Sequence, residues 1–259
     1  MQLPVTASRE LLRRSHLPLL HTGNETLDQL LGGGIQQGLV HLFYGVPRPT
    51  TRLLQRIAVL AQLPAPDGGL NARKVVYVDA ENNFDPYYLS QLAIERRLDP
   101  RRALQNIALA RAFSWEQVVE LVSEKIAAPG VADDAGLVCI AGLTAMLSPE
   151  EARHYQQLHQ VVAGIKELIA RRRGDVTIVA STRLHPSSAY RPIGGNVLLH
   201  FASVLVRVDD HAKFMEYTLE RHPALPPRRL LDFKPAQPKG AVKSRPLDHY
   251  FRASPAEEV

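Results

Sequence analysis

The sequence predicts an α/β protein built on a mostly parallel central β-sheet with helices on both of its faces. Short β-branched, apolar runs recur along the chain, and amphipathic segments of helix length separate the first of them. Strands that are apolar throughout are typical of a parallel sheet that is buried on both faces. The last two runs follow each other closely and predict antiparallel strands at the C-terminal end of the sheet.

Six runs are predicted as strands because each combines β-branched, aliphatic or aromatic residues over a short stretch. In chain order they are residues 39–44, 75–78, 137–140, 176–180, 204–208 and 214–219. The first four are expected to be parallel, and the last two form the antiparallel pair.

Four amphipathic segments are predicted as helices, and the last shows the pattern most clearly. Its aliphatic residues fall on one face at helical spacing. Pro149 suits its first turn, and three consecutive arginines suit its last turn, where positive charge interacts favourably with the helix dipole. The helices are residues 51–63, 85–97, 114–127 and 149–173, and the apolar face of the last comprises Leu158, Val161, Val162, Ile165, Leu168 and Ile169.

Composition narrows the class of protein. The chain has 259 residues, 45% of them hydrophobic, and a formal net charge of +5. This length fits one large domain, and the apolar content excludes a wholly disordered protein. The single cysteine, Cys139, excludes a disulfide framework and a cysteine-based zinc site. No run is long enough to span a membrane and no signal peptide is recognisable, so a soluble, cytoplasmic protein is expected.

Three segments are expected along the chain. Residues 1–18 form an N-terminal arm, residues 19–233 a core domain, and residues 234–259 a flexible basic tail rich in proline, lysine and arginine. The net positive charge favours an acidic partner such as nucleic acid. A GC-rich genome produces the same excess of arginine, so the charge alone leaves the partner open.

Several short motifs occur in one order and carry a specific resemblance. They are residues 22–35, residues 75–84 with a strand ending in Asp-x-Glu, residues 98–100, 106–107 and 110–113, and residues 191–196 followed by His200. This pattern resembles the RecA/RadA-type recombinases, most closely the archaeal RadA/RadB branch. The resemblance implies a RecA-like P-loop NTPase fold, a role in DNA recombination and repair, and a nucleoid-associated location. It also implies DNA, preferably single-stranded, and a recombinase or paralogue as partners.

The segment that resembles the P-loop, residues 45–52, lacks most of the groups that such a loop needs. A working loop reads G-x-x-x-x-G-K-[ST]: its N–H groups bind phosphates, the lysine neutralises them and the hydroxyl binds Mg²⁺. Gly45 remains, but Thr50 replaces the second glycine, Thr51 replaces the lysine and Arg52 replaces the hydroxyl residue. Two prolines in the segment remove further N–H donors.

The strand that resembles Walker B ends in Ala141 instead of the aspartate that would organise Mg²⁺. Glu81 stands where the family carries its water-activating carboxylate, and it is interpreted as a vestigial group that satisfies backbone donors at a strand end. Asp79 is interpreted as a turn residue. No metal site, no cofactor and no ATP hydrolysis are therefore expected, and binding of ATP and Mg²⁺ is the less favoured alternative.

In the resembling family, two loops at one edge of the sheet bind single-stranded DNA. The first is nearly absent here, because residues 148–151 pass almost directly into the predicted helix. The second survives in short form and implies phosphate contacts, a stacking platform for a base and close backbone approach. Its candidate residues are Arg183, His185 and Arg191 for phosphate, Tyr190 for stacking, and Gly194 and Gly195 for the backbone. A loop that only packs against the core is the alternative.

The basic tail offers a second, salt-sensitive contact to phosphate, and Arg228 and Arg229 precede it in the chain. A solvated tail that binds nothing is the alternative. The candidate tail residues are Lys239, Lys243 and Arg245.

Three functions remain open. The favoured one is a recombinase paralogue that binds DNA or a recombinase in recombinational repair without hydrolysing ATP. The second is a protein-interaction scaffold without DNA binding, which the shortened loops would allow. The third is a divergent DNA-dependent ATPase in which Arg48 or Arg52 meets the phosphates.

Overall fold

A computed structural model describes residues 17–188 and 190–235, and its ten strands lie in two sheets. The strands are β1 (Leu19–Leu20), β2 (Ile35–Gln36), β3 (Val40–Gly45), β4 (Val75–Asp79), β5 (Ile107–Arg111), β6 (Leu137–Ala141), β7 (Thr177–Arg183), β8 (Val204–Asp210), β9 (Phe214–Arg221) and β10 (Arg228–Phe233). The helices are α1 (Glu25–Leu30), α2 (Pro47–Leu60), α3 (Pro86–Glu95), α4 (Pro100–Gln105), α5 (Trp115–Val119), α6 (Ala152–Arg171) and α7 (Gly195–Phe201).

The main sheet has eight strands in the order β10-β9-β8-β3-β7-β6-β4-β5. The strands from β8 to β5 are parallel, and β9 and β10 continue the sheet in antiparallel fashion. This order confirms the predicted mostly parallel sheet with antiparallel strands at its C-terminal end. The remaining two strands, β1 and β2, pair with each other in a small separate sheet.

The central strands are apolar throughout because their alternate side chains enter two different hydrophobic clusters. In β4, Tyr77 belongs to the cluster that includes residues of α1 to α4, whereas Val76 and Val78 belong to the cluster that includes residues of α5 to α7. Successive side chains of a strand point to opposite faces of a sheet, so each strand needs apolar residues at every position when both faces are covered.

All four predicted helices have different boundaries in the structure, and the differences are most informative at three places. Helix α2 begins at Pro47, four residues before its predicted start, because proline is well suited to the first helical turn. Helix α6 begins at Ala152 instead of residue 149. The predicted helix 114–127 consists of α5 followed by a π-helical turn at Glu120–Lys125. At this turn Gly164 of α6 packs so closely that a Cβ would lie 2.6 Å from the Ser123 Cα.

Both edge strands of the sheet were missing from the prediction. Strand β5 contains two alanines and an arginine among its five residues, and β10 alternates exposed and half-buried side chains. Neither has the apolar run that marks the central strands, because each packs against the sheet on one side only.

One consequence of this core concerns acid stability. His41 of β3 is wholly buried, its Nε2 accepts a hydrogen bond from the Gln36 N–H at 3.4 Å, and burial lowers its pKa to about 3. The unfolded chain protonates this histidine near its ordinary pKa of 6.5, so the stability it confers is complete above that pH. That stability is lost as the pH falls from about 6.5 towards 3.

We therefore predict that His41→Gln flattens the acid dependence of the unfolding free energy. The wild-type protein should lose about 3 kcal/mol more than the variant between pH 6.5 and pH 4, measured by urea denaturation. His159→Gln on the exposed side of α6 is the control and should follow the wild-type curve. Parallel curves for His41→Gln and the wild type would contradict this assignment.

Candidate functional site

The carboxyl ends of four neighbouring parallel strands bring the altered motif residues together at one edge of the sheet. Gly45 at the end of β3 pairs in register with Arg183 at the end of β7. Asp79 at the end of β4 pairs with Ala141 at the end of β6. Ligands of open α/β sheets bind beyond the carboxyl ends of the strands, so this edge is the place to look for a site.

No loop separates β3 from α2. Val46 is the N-cap and the helix begins at Pro47, so residues 47–50 of the P-loop-like segment are its first turn. The Thr50 hydroxyl donates to the Pro47 carbonyl at 2.8 Å, and its N–H lies 3.4 Å from the Val46 carbonyl oxygen. Backbone N–H groups that converge on a phosphate require an open loop. Here the same stretch of chain is wound into the helix.

Gly45, the P-loop glycine that remains, is required by packing. Its φ is +142°, and a Cβ at this position would lie 2.0 Å from the Val208 carbonyl oxygen of β8. The following N–H, that of Val46, donates to the same carbonyl at 3.2 Å. The close approach of β3 and β8 explains this glycine without any phosphate ligand.

Glu81 lies at the centre of the site, and its carboxylate accepts hydrogen bonds from two side chains. The Thr51 hydroxyl donates to one oxygen, and the Arg183 Nε donates to the other at 3.1 Å. The Glu81 side chain is only 2% exposed, whereas that of Arg183 is 43% exposed. Backbone donors were expected for Glu81, and the partners that the structure shows are side chains instead.

The Walker B position is packed against the same glutamate. Ala141 is buried in the hydrophobic cluster below α2. The next residue, Gly142, has a φ of +71°, and a Cβ on it would lie 2.3 Å from the Glu81 Cγ. Its N–H donates to the buried Ser181 hydroxyl at 3.0 Å. Small residues at 141 and 142 therefore give Glu81 its space.

Asp79, and not Glu81, is the carboxylate that organises the backbone. It is buried, and it accepts hydrogen bonds from three N–H groups of the turn that follows β4. The donors are Glu81 and Asn83, each at 3.2 Å, and Phe84 at 3.0 Å. This is the geometry of a turn residue, since both of its oxygens are engaged by the chain itself.

A cavity of about 590 Å³ lies beside the first turn of α2. Arg48 and Arg52 line it together with residues 82–85. Arg52 forms an ion pair with Asp85 at 3.0 Å, and its guanidinium lies 4.2 Å from the centre of the Tyr88 ring. The Tyr88 N–H, and then Arg52, lower the pKa of Asp85. Arg48 is exposed and has no ion pair among the described residues.

The residues present do not fit a Mg²⁺-nucleotide complex. Thr51 stands at the lysine position, but its hydroxyl is committed to Glu81. Within residues 17–188 and 190–235, no group of three histidine, cysteine, aspartate or glutamate side chains is arranged to hold a metal ion. The missing metal ligands and the helical first turn together leave phosphate and Mg²⁺ without the groups that bind them in a P-loop.

The second DNA-loop candidate is a short hairpin at the end of β7. Leu184 and Pro192 form an isolated antiparallel bridge, and the His185 N–H donates to the Arg191 carbonyl at 2.7 Å. The His185 Nδ1 accepts from the Ser187 N–H at 3.2 Å, so this ring helps to shape the turn. The predicted phosphate role of His185 thus coincides with a structural one.

The glycines that follow this hairpin differ from each other. Gly194 has a φ of +97°, and a Cβ on it would lie 2.9 Å from Leu198 and 3.1 Å from Leu158. Gly195 has a φ of +50° and open space around its Cα. The predicted close approach to DNA is therefore sterically open at Gly195, whereas Gly194 is required by the packing of α6 and α7.

Tyr190 is the most exposed aromatic side chain of the hairpin, at 71%. The Arg207 guanidinium of β8 lies 5.3 Å from its ring centre. The Tyr44 hydroxyl lies 3.2 Å from the Tyr190 carbonyl oxygen and donates to Glu220 at 2.6 Å. Arg207 is in turn paired with Asp209 at 2.7 Å. Sequence analysis missed this support, because its members are far apart in the chain and show no motif.

Basic residues outside the hairpin were also predicted to contact phosphate, and the structure places two of them, Arg228 and Arg229. The Arg228 guanidinium donates to the carbonyls of Gln29 and Leu30 at the end of α1, so it caps a helix. Arg229 is exposed and lies 3.5 Å from Glu216. The tail candidates Lys239, Lys243 and Arg245 lie outside the described residues, as do most of the N-terminal arm and nearly all of the tail.

No helix in the described ranges is long and apolar enough to cross a membrane. The fold and this edge of the sheet define the class of protein. The sheet is mostly parallel, and β3 leads through a P-loop-like segment into α2, so the fold is RecA-like. The chain belongs to the Rad51 family, whose sequence profile matches residues 13–213.

Named relatives share this similarity. The chain is 29% identical to the DNA repair and recombination protein RadB of Pyrococcus abyssi, over 83% of this chain and 90% of the relative. It is 27% identical to the meiotic recombination protein DMC1/LIM15 homolog of Mus musculus, over 78% of this chain and 64% of the relative. A shorter match, 39% identical, to the DNA repair protein RAD51 of Saccharomyces cerevisiae spans 46% of this chain and 30% of that protein.

The Glu81 contacts generate a testable double-mutant cycle. Arg183→Met should cost about 1–2 kcal/mol of unfolding free energy, because it leaves a nearly buried carboxylate with the Thr51 hydroxyl alone. The cost should become small in a Glu81→Gln background, where no charge remains to be paired. Urea denaturation of the four proteins measures the coupling.

Arg191→Met provides the matched control, because Arg191 is exposed on the hairpin. It should change stability by less than about 0.5 kcal/mol. An equal cost of Arg183→Met in both backgrounds would show that the ion pair does not stabilise Glu81.

Proposed function

We propose that this chain acts in DNA recombination and repair as a Rad51-family paralogue that binds DNA and recombinase subunits without hydrolysing ATP. The observation that carries the proposal is the buried Glu81 carboxylate held by Thr51 and Arg183. Family membership and the names of the RadB, RAD51 and DMC1 relatives support the recombination role.

The chemistry of phosphoryl transfer explains why these contacts argue against ATP hydrolysis. Catalysis of this reaction rests on positioning and on charge neutralisation by lysine, Mg²⁺ and backbone N–H groups. A general base must also reach the attacking water. Glu81 accepts from Thr51 and Arg183 instead, and α2 begins where the phosphate loop would lie. Each of these features favours a site that has lost its reaction.

The same edge of the sheet supports contact with single-stranded DNA. Tyr190 exposes an aromatic ring on which an unpaired base can stack, and the Arg207 guanidinium lies 5.3 Å from the centre of that ring. Arg191 is exposed beside it. Arg183 uses its Nε for Glu81, which leaves its Nη groups available to a phosphate. These contacts are independent of base sequence, as expected for a recombination accessory protein.

The outer edge of the sheet, which is formed by strand β5, supports a recombinase partner. Strand β5 pairs with β4 only, so its outer backbone edge is open within the described part of the chain. Leu109 of β5 is 40% exposed and lines a cavity of about 280 Å³ with Leu121, Ile126 and Val131. An open strand beside an apolar cavity is suited to the addition of a strand from another subunit, whose side chain would fill the cavity.

The divergent ATPase is the second candidate, and the cavity beside Arg48 is the observation that favours it. The two candidates differ in nucleotide binding. We expect 1 mM ATP with Mg²⁺ to leave the thermal midpoint of unfolding unchanged, because the proposed site does not bind the nucleotide. A nucleotide present at 100 times its Kd would instead add about 2.7 kcal/mol of stability and raise the midpoint.

Tripolyphosphate with Mg²⁺ at equal ionic strength is the control for a nonspecific anion effect. A midpoint that rises with ATP but not with tripolyphosphate would overturn the nucleotide-independent proposal and favour the divergent ATPase.

DNA binding is tested by fluorescence anisotropy with a labelled single strand of about 30 nucleotides. Tyr190→Ala combined with Arg191→Gln should weaken binding about 10- to 100-fold, because it removes one stacking platform and one phosphate contact. Tyr87→Ala combined with Lys166→Gln is the matched control, since Tyr87 is 86% exposed on α3 and Lys166 is exposed on α6.

Equal affinity of the hairpin variant and the wild type would move the DNA site away from this loop. Absence of binding to the wild type at low salt would favour the scaffold without DNA binding.

A further inference from the structure

A second basic surface lies at the amino ends of the parallel strands, where β4 and β5 begin. A polar cavity of about 440 Å³ is lined there by Arg73, Arg97 and Arg102. Arg73 precedes β4, Arg97 follows α3, and Arg102 lies in α4. Arg96 and Arg101 are their exposed neighbours in the chain. We call these five residues the arginine cluster.

The arginine cluster lacks the internal ion pairs that occupy arginines elsewhere. None of its five guanidinium groups has an ion pair or a hydrogen bond with the residues that the structure describes. By contrast, Arg52, Arg183 and Arg207 are each held by a carboxylate. Unpaired arginines around one cavity concentrate positive potential where an anion can enter.

Two carboxylates lie on the same elements, and each already has a partner. Asp99 caps α4 by accepting from the Arg101 and Arg102 N–H groups at 2.8 and 3.1 Å. Glu95 accepts from the Gln91 side chain at 3.1 Å. Five arginines against two carboxylates leave the cluster with a positive balance.

The backbone of Arg97 provides an independent indication. This residue lies just after the C-cap of α3 with a φ of +58°, a position where glycine or asparagine is usual. Arg97 therefore adopts a conformation that its backbone disfavours, as Arg173 does after α6. Strained residues concentrate at sites where the side chain has a function, and here the side chain lines the cavity.

The chemistry of the cluster favours a phosphodiester backbone over an acidic protein segment. Guanidinium groups form bidentate hydrogen bonds with phosphate oxygens. Protein interfaces are centred on buried aromatic or aliphatic anchors. The described cavity lining contains no aromatic residue, and its aliphatic residues Ala72, Leu98 and Ala103 are buried or half-buried. Interfaces with nucleic acid are more polar and more positively charged.

We propose that the arginine cluster is a second phosphodiester-binding surface, which holds a nucleic-acid segment at the edge of the sheet opposite the hairpin 184–194. The strands between the two edges are five to seven residues long, which corresponds to about 17–23 Å. The two surfaces therefore lie at opposite ends of the parallel strands, and this separation leaves room for two nucleic-acid segments at once. The bridging role, though not the cluster itself, rests on the proposed DNA contact at the hairpin.

The first test measures the salt dependence of binding to a labelled single strand. The variant Arg73→Gln/Arg97→Asn/Arg102→Gln should lower the slope of log affinity against log salt by about 2, since each phosphate contact contributes about 0.7. The control Arg153→Gln/Lys166→Gln/Lys213→Gln removes the same charge from exposed positions outside the cavity and should leave the slope unchanged.

Folding is monitored in the same variants by thermal denaturation. Asparagine accepts the backbone conformation of Arg97 better than arginine does, so the cluster variant should not melt below the wild type. Lost binding at an unchanged thermal midpoint then reports the missing contacts. A slope equal to that of the wild type would overturn the proposal.

The second test measures bridging directly. Protein bound to a bead-immobilised oligonucleotide should capture a second, labelled oligonucleotide, and the cluster variant should capture at least about tenfold less, as expected for three lost phosphate contacts. Capture unchanged by the cluster substitutions would overturn the proposal, and so would competition by poly-glutamate as effective as that by DNA at equal charge.

Failure of the proposed function has a different signature. If the hairpin variant Tyr190→Ala/Arg191→Gln binds like the wild type while the cluster variant loses salt dependence, the hairpin assignment fails and the arginine cluster stands.

Discussion

Burial of the Glu81 carboxylate is the constraint on which this edge of the molecule depends. A carboxylate removed from water needs partners, and Thr51 from α2 and Arg183 from β7 provide them. Their contacts join α2, the segment after β4 and the end of β7. Gly142 lies so close that no side chain fits between it and the glutamate. The start of α2 directly after Val46 belongs to the same arrangement, because it places Thr51 one turn into the helix.

The apolar core of the RecA-like scaffold lies on the two faces of the sheet, away from this edge. Two hydrophobic clusters cover the sheet on both faces. Gly45 and Asp79, which belong to motifs associated with nucleotide binding, have structural duties of their own in strand packing and in the turn after β4. The lysine, the hydroxyl residue and the Walker B aspartate of the motifs that this segment resembles are replaced by Thr51, Arg52 and Ala141.

The arginines of this protein fall into two groups, those that are paired within the fold and those that are exposed without a carboxylate partner among the described residues. Arg52, Arg183, Arg207 and Arg228 are engaged by carboxylates or helix carbonyls, and they contribute to the fold. The arginine cluster and Arg191 are exposed and have no carboxylate partner among the described residues, which makes them the surfaces that attract an acidic ligand. A net charge of +5 does not reveal this division, because a paired and an unpaired arginine count equally in a composition.

The sequence by itself determined the α/β class, the central strands and the antiparallel C-terminal pair, because apolar periodicity is a local signal. It did not predict the edge strands β5 and β10, whose residues become strands only through their neighbours in the sheet. Only the tertiary structure decided that Arg183 meets Glu81, 102 positions away, that Tyr190 rests on Arg207, and that Arg73 joins Arg97 and Arg102 around one cavity. Such contacts arise when a parallel sheet brings distant strand ends to a common edge, and no local pattern in the chain records which ends will meet.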